Sequence, residues 1–324
     1  METGATTVSL PELLAPVGLG LGLVEDRIAR AIDTGQEVLT QAYTRMFAGG
    51  KRIRPALTLL AAGPQGSRKR EVVALGAALE MLHTATLIHD DIIDGCTFRR
   101  GQATFCAEHG DDAAILAGDH LFARAAVVVT ETRNLDALRV FAETLVTISA
   151  GELEQVWRHS RLPSLDEYLR LIHAKTACLF ESAALGGALL AGREPQVVQR
   201  FAYYGRCVGL AFQIADDVLD YVGDPKVMGK PTLNDLQQGH MTLPALLYLW
   251  QLPEWERIEI PDGAAEEDVQ PLVEAVIAGG FVGRALQMAS DYSERAWEGV
   301  RELVSGPYAD SLRGLARFAV ERVA

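Results

Sequence analysis

From Arg70 to Ile93 apolar residues recur at three- and four-residue spacings, with Gly76 as the one breaker, which is the period of a packed helix. The same period runs through Ala113–Ala125, Leu135–Trp157, Ser164–Leu190 and Pro195–Tyr221, while strict strand-like alternation is scarce. Ser164 followed by Glu167, just after Pro163, forms a capping box that starts one helix. Breakers fall between these runs, at Gly63-Pro64-Gln65-Gly66-Ser67 and from Gly223-Asp224-Pro225 to Pro231. The charged stretch Pro253–Pro271, which holds Pro261-Asp262-Gly263, reads as a surface loop. No fixed-period repeat, low-complexity tract or interdomain linker appears. The pattern predicts an all-α fold over residues 1–324, a single large domain. Many helices are apolar on more than one face, so the centre of the bundle is expected to be deeply buried.

Composition narrows this little. The chain is 49% hydrophobic and 23% charged, as an ordinary soluble globular protein is, which excludes extensive disorder. The net charge of −13 argues against a nucleic-acid partner. An anionic substrate must then be met by a local basic cluster or by metal ions. Cys96, Cys106, Cys178 and Cys207 form no C-x-x-C pair, so zinc is not expected, and four reduced thiols fit a cytoplasmic location. The apolar stretch Leu13–Val24 contains Pro16 and three glycines, is too short to span a bilayer and follows no basic segment. Peripheral membrane contact stays open.

The chemistry is concentrated in two clusters. Asp90-Asp91-Ile92-Ile93-Asp94 sits in an apolar helix; at about 100° per residue Asp90 and Asp94 share a face and Asp91 points roughly 100° away. Asp216-Asp217-Val218-Leu219-Asp220 repeats the spacing 126 residues later, again after an apolar run. Crowded carboxylates repel, and a hard divalent cation relieves them. Magnesium suits oxygen donors and bridges one or two carboxylates to substrate phosphates. A single cluster of this kind could be a solvated helix face. Two of them, each embedded in apolar sequence, point to a shared polyvalent-cation site.

A diphosphate partner then calls for basic residues nearby. Gly49-Gly50-Lys51-Arg52-Ile53-Arg54-Pro55 is a basic turn entering a helix, in which Lys51 and Arg54 can share one face. Arg99-Arg100-Gly101 follows the first cluster, Lys175-Thr176 and Gly151-Glu152 interrupt apolar helices, and Lys226 and Lys230 follow the second cluster. His83 lies two turns before Asp90. Glu80 and His83 form one E-x-x-H pair, but a di-iron bundle needs two, so that fold is set aside.

These elements, with Gly118-Asp119-His120-Leu121, Lys175-Thr176-Ala177 and the run Gly209–Pro244, occur in order over residues 45–245 and resemble the trans-prenyl diphosphate synthases, the long-chain members most. The resemblance implies an isoprenoid synthase-like bundle of about ten or more helices around a deep central cavity, and a homodimer. It implies two or three magnesium ions, with Asp90, Asp94 and Asp216 as direct ligands and Asp91, Asp217 and Asp220 acting directly or through water. Lys175, Arg99, Thr176, Gln213 and Lys230 would hold the allylic diphosphate; Lys51, Arg54, His83 and Arg100 would hold isopentenyl diphosphate. One position departs from the family: His240 stands where a lysine is usual in G-K-x-T-L-P, which puts one phosphate contact in doubt.

The resemblance also assigns product length to residues before the first cluster, here Leu82, Ala85 and Thr86. Ala85 and Thr86 are small, so a tunnel is expected to stay open and the product to reach about thirty to fifty carbons, one helical turn of depth at a time. A short-chain synthase, a terpene cyclase and a non-catalytic subunit of a heteromeric synthase are the alternatives. The intact second cluster argues against the cyclase, and the retained aspartates and basic turn against the subunit.

Overall fold

The computed structural model describes residues 9–99, 101–157, 162–223, 233–253, 260 and 263–321. The N-terminal half holds α1 (Leu10–Leu14), α2 (Gly18–Ile32), α3 (Glu37–Phe47), α4 (Ile53–Ala62), α5 (Arg70–Ile93), α6 (Phe105–His109), α7 (Asp111–Thr130) and α8 (Leu135–Trp157). The remainder holds α9 (Leu165–Ile172), α10 (Cys178–Leu190), α11 (Pro195–Val222), α12 (Asn234–Gln237), α13 (Leu243–Leu249), α14 (Glu266–Ala278), α15 (Phe281–Val300) and α16 (Gly306–Glu321). Among the described residues the only strands are β1 (Phe98–Arg99) and β2 (Gln102–Ala103), paired antiparallel with Phe98 opposite Ala103. The all-α expectation holds.

Helix α5 is the spine. Val72 to Leu82 is buried without a break, so the helix has no solvent face there. It packs against α2, α4, α7 and α10. α10 in turn lies close against α4 because Gly187 carries no side chain; a Cβ there would overlap the Thr58 carbonyl. Helix α11 joins this core to α15 and, at its C-terminal end, to a second cluster of Tyr221, Leu236, Leu249, Val269, Leu272 and Val276.

Two segments differ from expectation. Ser164 does cap a helix, accepting from Glu167 N while Glu167 accepts from Ser164 N, but the run to Leu190 is not one rod. A wide π-turn, His173–Ala177, separates α9 from α10. The stretch read as a loop to Pro271 ends at Ala265, because Val269, Leu272, Val273 and Val276 make an apolar stripe that buries α14, with Pro271 inside it. Glu266, Glu267 and Asp268 favour that start by lying at the positive end of the helix dipole.

Candidate active site

The first cluster ends α5. Asp94 caps the helix, its N–H donating to Asp90 O at 2.8 Å. His83, Thr86, Leu87, Asp90 and Asp94 keep accessible surface and, at three- and four-residue steps, form one stripe. Asp91 is only 2% exposed and accepts a 2.6 Å hydrogen bond from Arg99 Nε, which the β1–β2 hairpin delivers. Burial, aided by Glu152 and Asp94 and opposed by Lys175 and Arg99, pushes the Asp90 carboxyl up to about 7.

The π-turn faces this stripe. Its extra width needs room on two sides, and glycines supply it: a Cβ at Gly151 of α8 would lie 2.5 Å from Ala174 Cβ, and one at Gly209 of α11 would overlap Ala177 Cα. The turn carries Lys175 and Thr176. Burial lowers the Lys175 ammonium, but Glu152, Asp90, Asp94 and Asp235 more than offset this and leave it above its ordinary value. One lysine thus responds to acids of the first cluster and to Asp235, beyond the second.

On α11 only Asp216 of the second cluster keeps substantial access; Asp217 is 3% exposed and Asp220 fully buried. Asp217 is held at both oxygens. Gln213 Nε2 donates to Oδ1 at 2.9 Å and Tyr168 Oη to Oδ2 at 2.6 Å, while Thr176 Oγ1 donates to Gln213 Oε1 at 2.6 Å. Burial and the nearby Asp235 push the Asp217 carboxyl up to about 7 against those two hydrogen bonds. The acids that keep accessible surface, Asp90, Asp94 and Asp216, are the three that the resemblance names as direct ligands, and Asp91 and Asp217 beside them are hydrogen-bonded to protein groups.

The basic turn divides its work. Arg52, in a left-handed conformation at the start of α4, pairs with Glu25 and Glu80 and donates to Phe47 O. Glu80, the acid of the E-x-x-H pair, is thereby spent on an ion pair. Lys51 Nζ sits 5.2 Å from the Phe318 ring centroid and Arg54 Cζ 4.9 Å from that of Phe180. Gly118-Asp119-His120-Leu121 is structural: Gly118 makes room for His89, whose Nε2 donates to Ile115 O at 3.1 Å, and His120 meets Tyr43 Oη at 3.1 Å. Arg100, Lys226 and Lys230 lie outside the described residues.

Of the product-length trio only Thr86 keeps accessible surface. Leu82 and Ala85 are enclosed in the main core with no accessible surface. Five residues before Asp90 is roughly 140° around the helix, so Ala85 faces inward. Thr86, with Oγ1 donating to His83 O at 2.8 Å, is half-buried beside Leu87 on the open stripe. Signals that sequence reading missed are Tyr168, which resembles a core aromatic, and Asp235, a lone acid in a short polar segment.

The polyprenyl synthetase family profile matches residues 36–276. The chain belongs to the polyprenyl synthetase family. It is 36% identical over 305 residues to octaprenyl diphosphate synthase of Escherichia coli (strain K12), covering 92% of this chain and 94% of that one. It is 38% identical over 303 residues to heptaprenyl diphosphate synthase component 2 of Geobacillus stearothermophilus, covering 92% of each. The crystal structure of polyprenyl synthase from Caulobacter crescentus CB15, complexed with calcium and isoprenyl diphosphate, superposes with a TM-score of 0.91 at 34% identity, covering 98% of this chain and 99% of that one. Polyprenyl synthetases are prenyltransferases, and this chain is one of them.

Proposed function

We propose that this polyprenyl synthetase condenses isopentenyl diphosphate with an allylic prenyl diphosphate in the presence of magnesium, giving an all-trans polyprenyl diphosphate of about thirty to fifty carbons. The observation that carries the reading is the half-buried cation of Lys175 acting with Asp90 and Asp94, while Asp216 is the accessible acid of the second cluster.

The donor set fits magnesium. All three acids offer oxygen, and Asp90 is held near neutrality by burial and neighbouring acids, a strain that a cation relieves. Among the described residues no three His, Cys, Asp or Glu side chains close a metal site by themselves. That suits ions completed by diphosphate oxygens and water rather than by a protein cage. Asp90, Asp94 and Asp216 would hold two or three of them. Bound magnesium would draw charge onto the departing diphosphate.

The chain's own groups do the rest. Lys175 presents an ammonium in a half-buried setting, where its attraction for phosphate oxygen is less screened than in open water. Thr176 and Gln213, already joined by a hydrogen bond, fix the floor beside it. Lys51, Arg54 and His83 are assigned to isopentenyl diphosphate, and Arg99 acts through Asp91 as well as by its own charge. Thr86 and Leu87 continue the stripe away from the acids and would receive the growing chain. No side-chain nucleophile is needed, because the released diphosphate can take the final proton.

We also read the chain as one domain, cytoplasmic, and homodimeric. α7 exposes Ile115, Leu116 and Val127, and α8 exposes Val146, Leu153, Val156 and Trp157, an apolar face that a second copy would cover. Two helices, α5 and α7, are long and apolar enough to cross a membrane by length and composition; α5 spends its surface on the core. The purified chain, incubated alone with farnesyl diphosphate, isopentenyl diphosphate and magnesium, should yield long-chain product by chromatography. A product stopping at fifteen or twenty carbons refutes the length reading. No product from the chain alone, with product restored by a second subunit, refutes the homomeric one.

A further inference from the structure

Between the second acidic cluster and α13 runs a short segment that touches three separate parts of the site. It starts on the cluster itself, where Leu233 N donates to Asp220 O at 3.0 Å. Leu233 is buried and has φ 64°, a left-handed conformation that a leucine adopts at a cost and keeps only when its surroundings enforce it. The turn closes on itself through Gly239 N to Leu236 O at 3.0 Å and His240 N to Asp235 O at 2.8 Å. Two side chains then reach outward. Gln238 Nε2 donates to Asp94 O, the carbonyl at the end of the first cluster, at 3.4 Å. His240 Nε2 lies 2.8 Å from Gln155 Nε2 on α8, three residues from Glu152. An amide nitrogen only donates, so His240 Nε2 is the acceptor in this arrangement and the imidazole carries its proton on Nδ1.

We propose that residues 233–240 form a clasp that sets the spacing of the two acidic clusters, and that His240 is a positioning residue of this clasp, acting through Gln155, rather than a contact to diphosphate. The geometry accounts for each part. The segment is tied to Asp220 at one end and to Asp94 and α8 at the other. It carries Asp235, whose charge both Lys175 and Asp217 feel. Releasing the His240 end frees the turn that holds Asp235 and loosens the bridge between clusters that are 126 residues apart in sequence. The catalytic consequence rests on the synthase reading above; the clasp itself does not.

The test is a double-mutant cycle of His240→Ala, Gln155→Ala and the two together, read first by hydrogen exchange of the full chain without substrate or metal. The backbone amides at positions 233, 239 and 240 should exchange about three- to tenfold faster in each single variant, the worth of one neutral hydrogen bond. The double variant should be no faster than the faster single. Unchanged exchange, or effects that multiply, overturns the clasp. The second readout is condensation. Each single variant should need several-fold more magnesium for half-maximal rate, and the double variant no more than a single. Activity lost in His240→Ala with unchanged exchange and an unaffected Gln155→Ala would make His240 a substrate contact and overturn the proposal. If the unmodified chain forms no product, the functional reading fails while the exchange data still decide the clasp.

Discussion

Tyr168 Oη donates to Asp217 Oδ2 at 2.6 Å, from α9 to α11, with both residues almost wholly enclosed. Gln213 takes the other carboxylate oxygen, so Asp217 is fixed from both sides and Asp216 is the acid left to the open face. Tyr168→Phe removes one hydroxyl and nothing else. A hydrogen bond to a charged or partly charged acid is worth about 1.5–3 kcal/mol, so kcat should fall roughly ten- to hundredfold if the bond holds Asp217 in its working position. The measurement is steady-state condensation across a magnesium titration; a variant with unchanged kcat and unchanged metal demand assigns the hydroxyl to packing alone.

The raised carboxyl of Asp90 predicts a pH-dependent stability in metal-free protein. Its ordinary value is 3.8 and its folded value about 7. Between these the folded protein keeps a proton that the unfolded chain has lost, so stability falls as pH rises through that window. The penalty is absent below the window and complete above it. Asp90→Asn should therefore melt higher than the parent at pH 8 without magnesium, and the gap should close towards pH 4. Parallel melting curves at all pH values would show that Asp90 titrates normally.

Chain length should respond to position 86. Thr86→Phe places a ring on the accessible stripe one turn from Asp90 and should shift the product to shorter chains at near-normal turnover, as chromatography of the extended products would reveal. Ala85→Phe is a different experiment. The site is fully enclosed, and overpacking of this kind costs about 1–3 kcal/mol, so a lowered melting temperature should accompany any change in product. If Thr86→Phe leaves the product distribution untouched, the stripe does not receive the growing chain.

Neighbouring basic residues should separate cleanly. Arg52→Ala takes an ion-pair partner from Glu80, which is 6% exposed, and removing one member of a buried pair costs about 3–5 kcal/mol. Its melting temperature should drop sharply. Lys51→Ala should leave stability nearly unchanged and raise KM for isopentenyl diphosphate several-fold. The reverse pattern would exchange their roles.

The apolar face of α7 and α8 should hold two copies together. Leu116→Asp combined with Val146→Asp places charge at positions that are 68% and 67% exposed in the single chain, so neither should harm the fold of the protomer. Sedimentation should show a dimer for the parent and a monomer for the variant. A variant that sediments as the parent does would place the contact elsewhere.

Much of this is legible in the amino-acid sequence. The edges of α5 and α8 follow from apolar periods that stop at the first polar or breaking residues, and the clusters stood out because six acids in apolar helices have few other uses. Other features left no trace. The π-turn is invisible because apolar residues continue at helical spacing on both sides of it. Ala85 lies about 140° around its helix from Asp90 and is fully buried, a placement that its distance along the sequence from the cluster does not reveal. Arg52 and Lys51 are adjacent in sequence, and only the left-handed turn at Arg52 sends one side chain to Glu25 and Glu80 and the other towards Phe318. Asp235 gains its importance from long-range contact alone.

The π-turn also sets stability against activity. Deleting one residue between His173 and Ala177 would let α9 and α10 fuse into a continuous rod with every backbone bond in regular order, and helices of that kind are usually the more durable. Made at Thr176, the repair would turn all that precedes it by about 100° relative to α10 and carry Lys175 off the acids it now serves. A sequence selected only for heat resistance would be expected to lose this irregularity. Its presence marks the place where the fold tolerates a flaw for the sake of one cation.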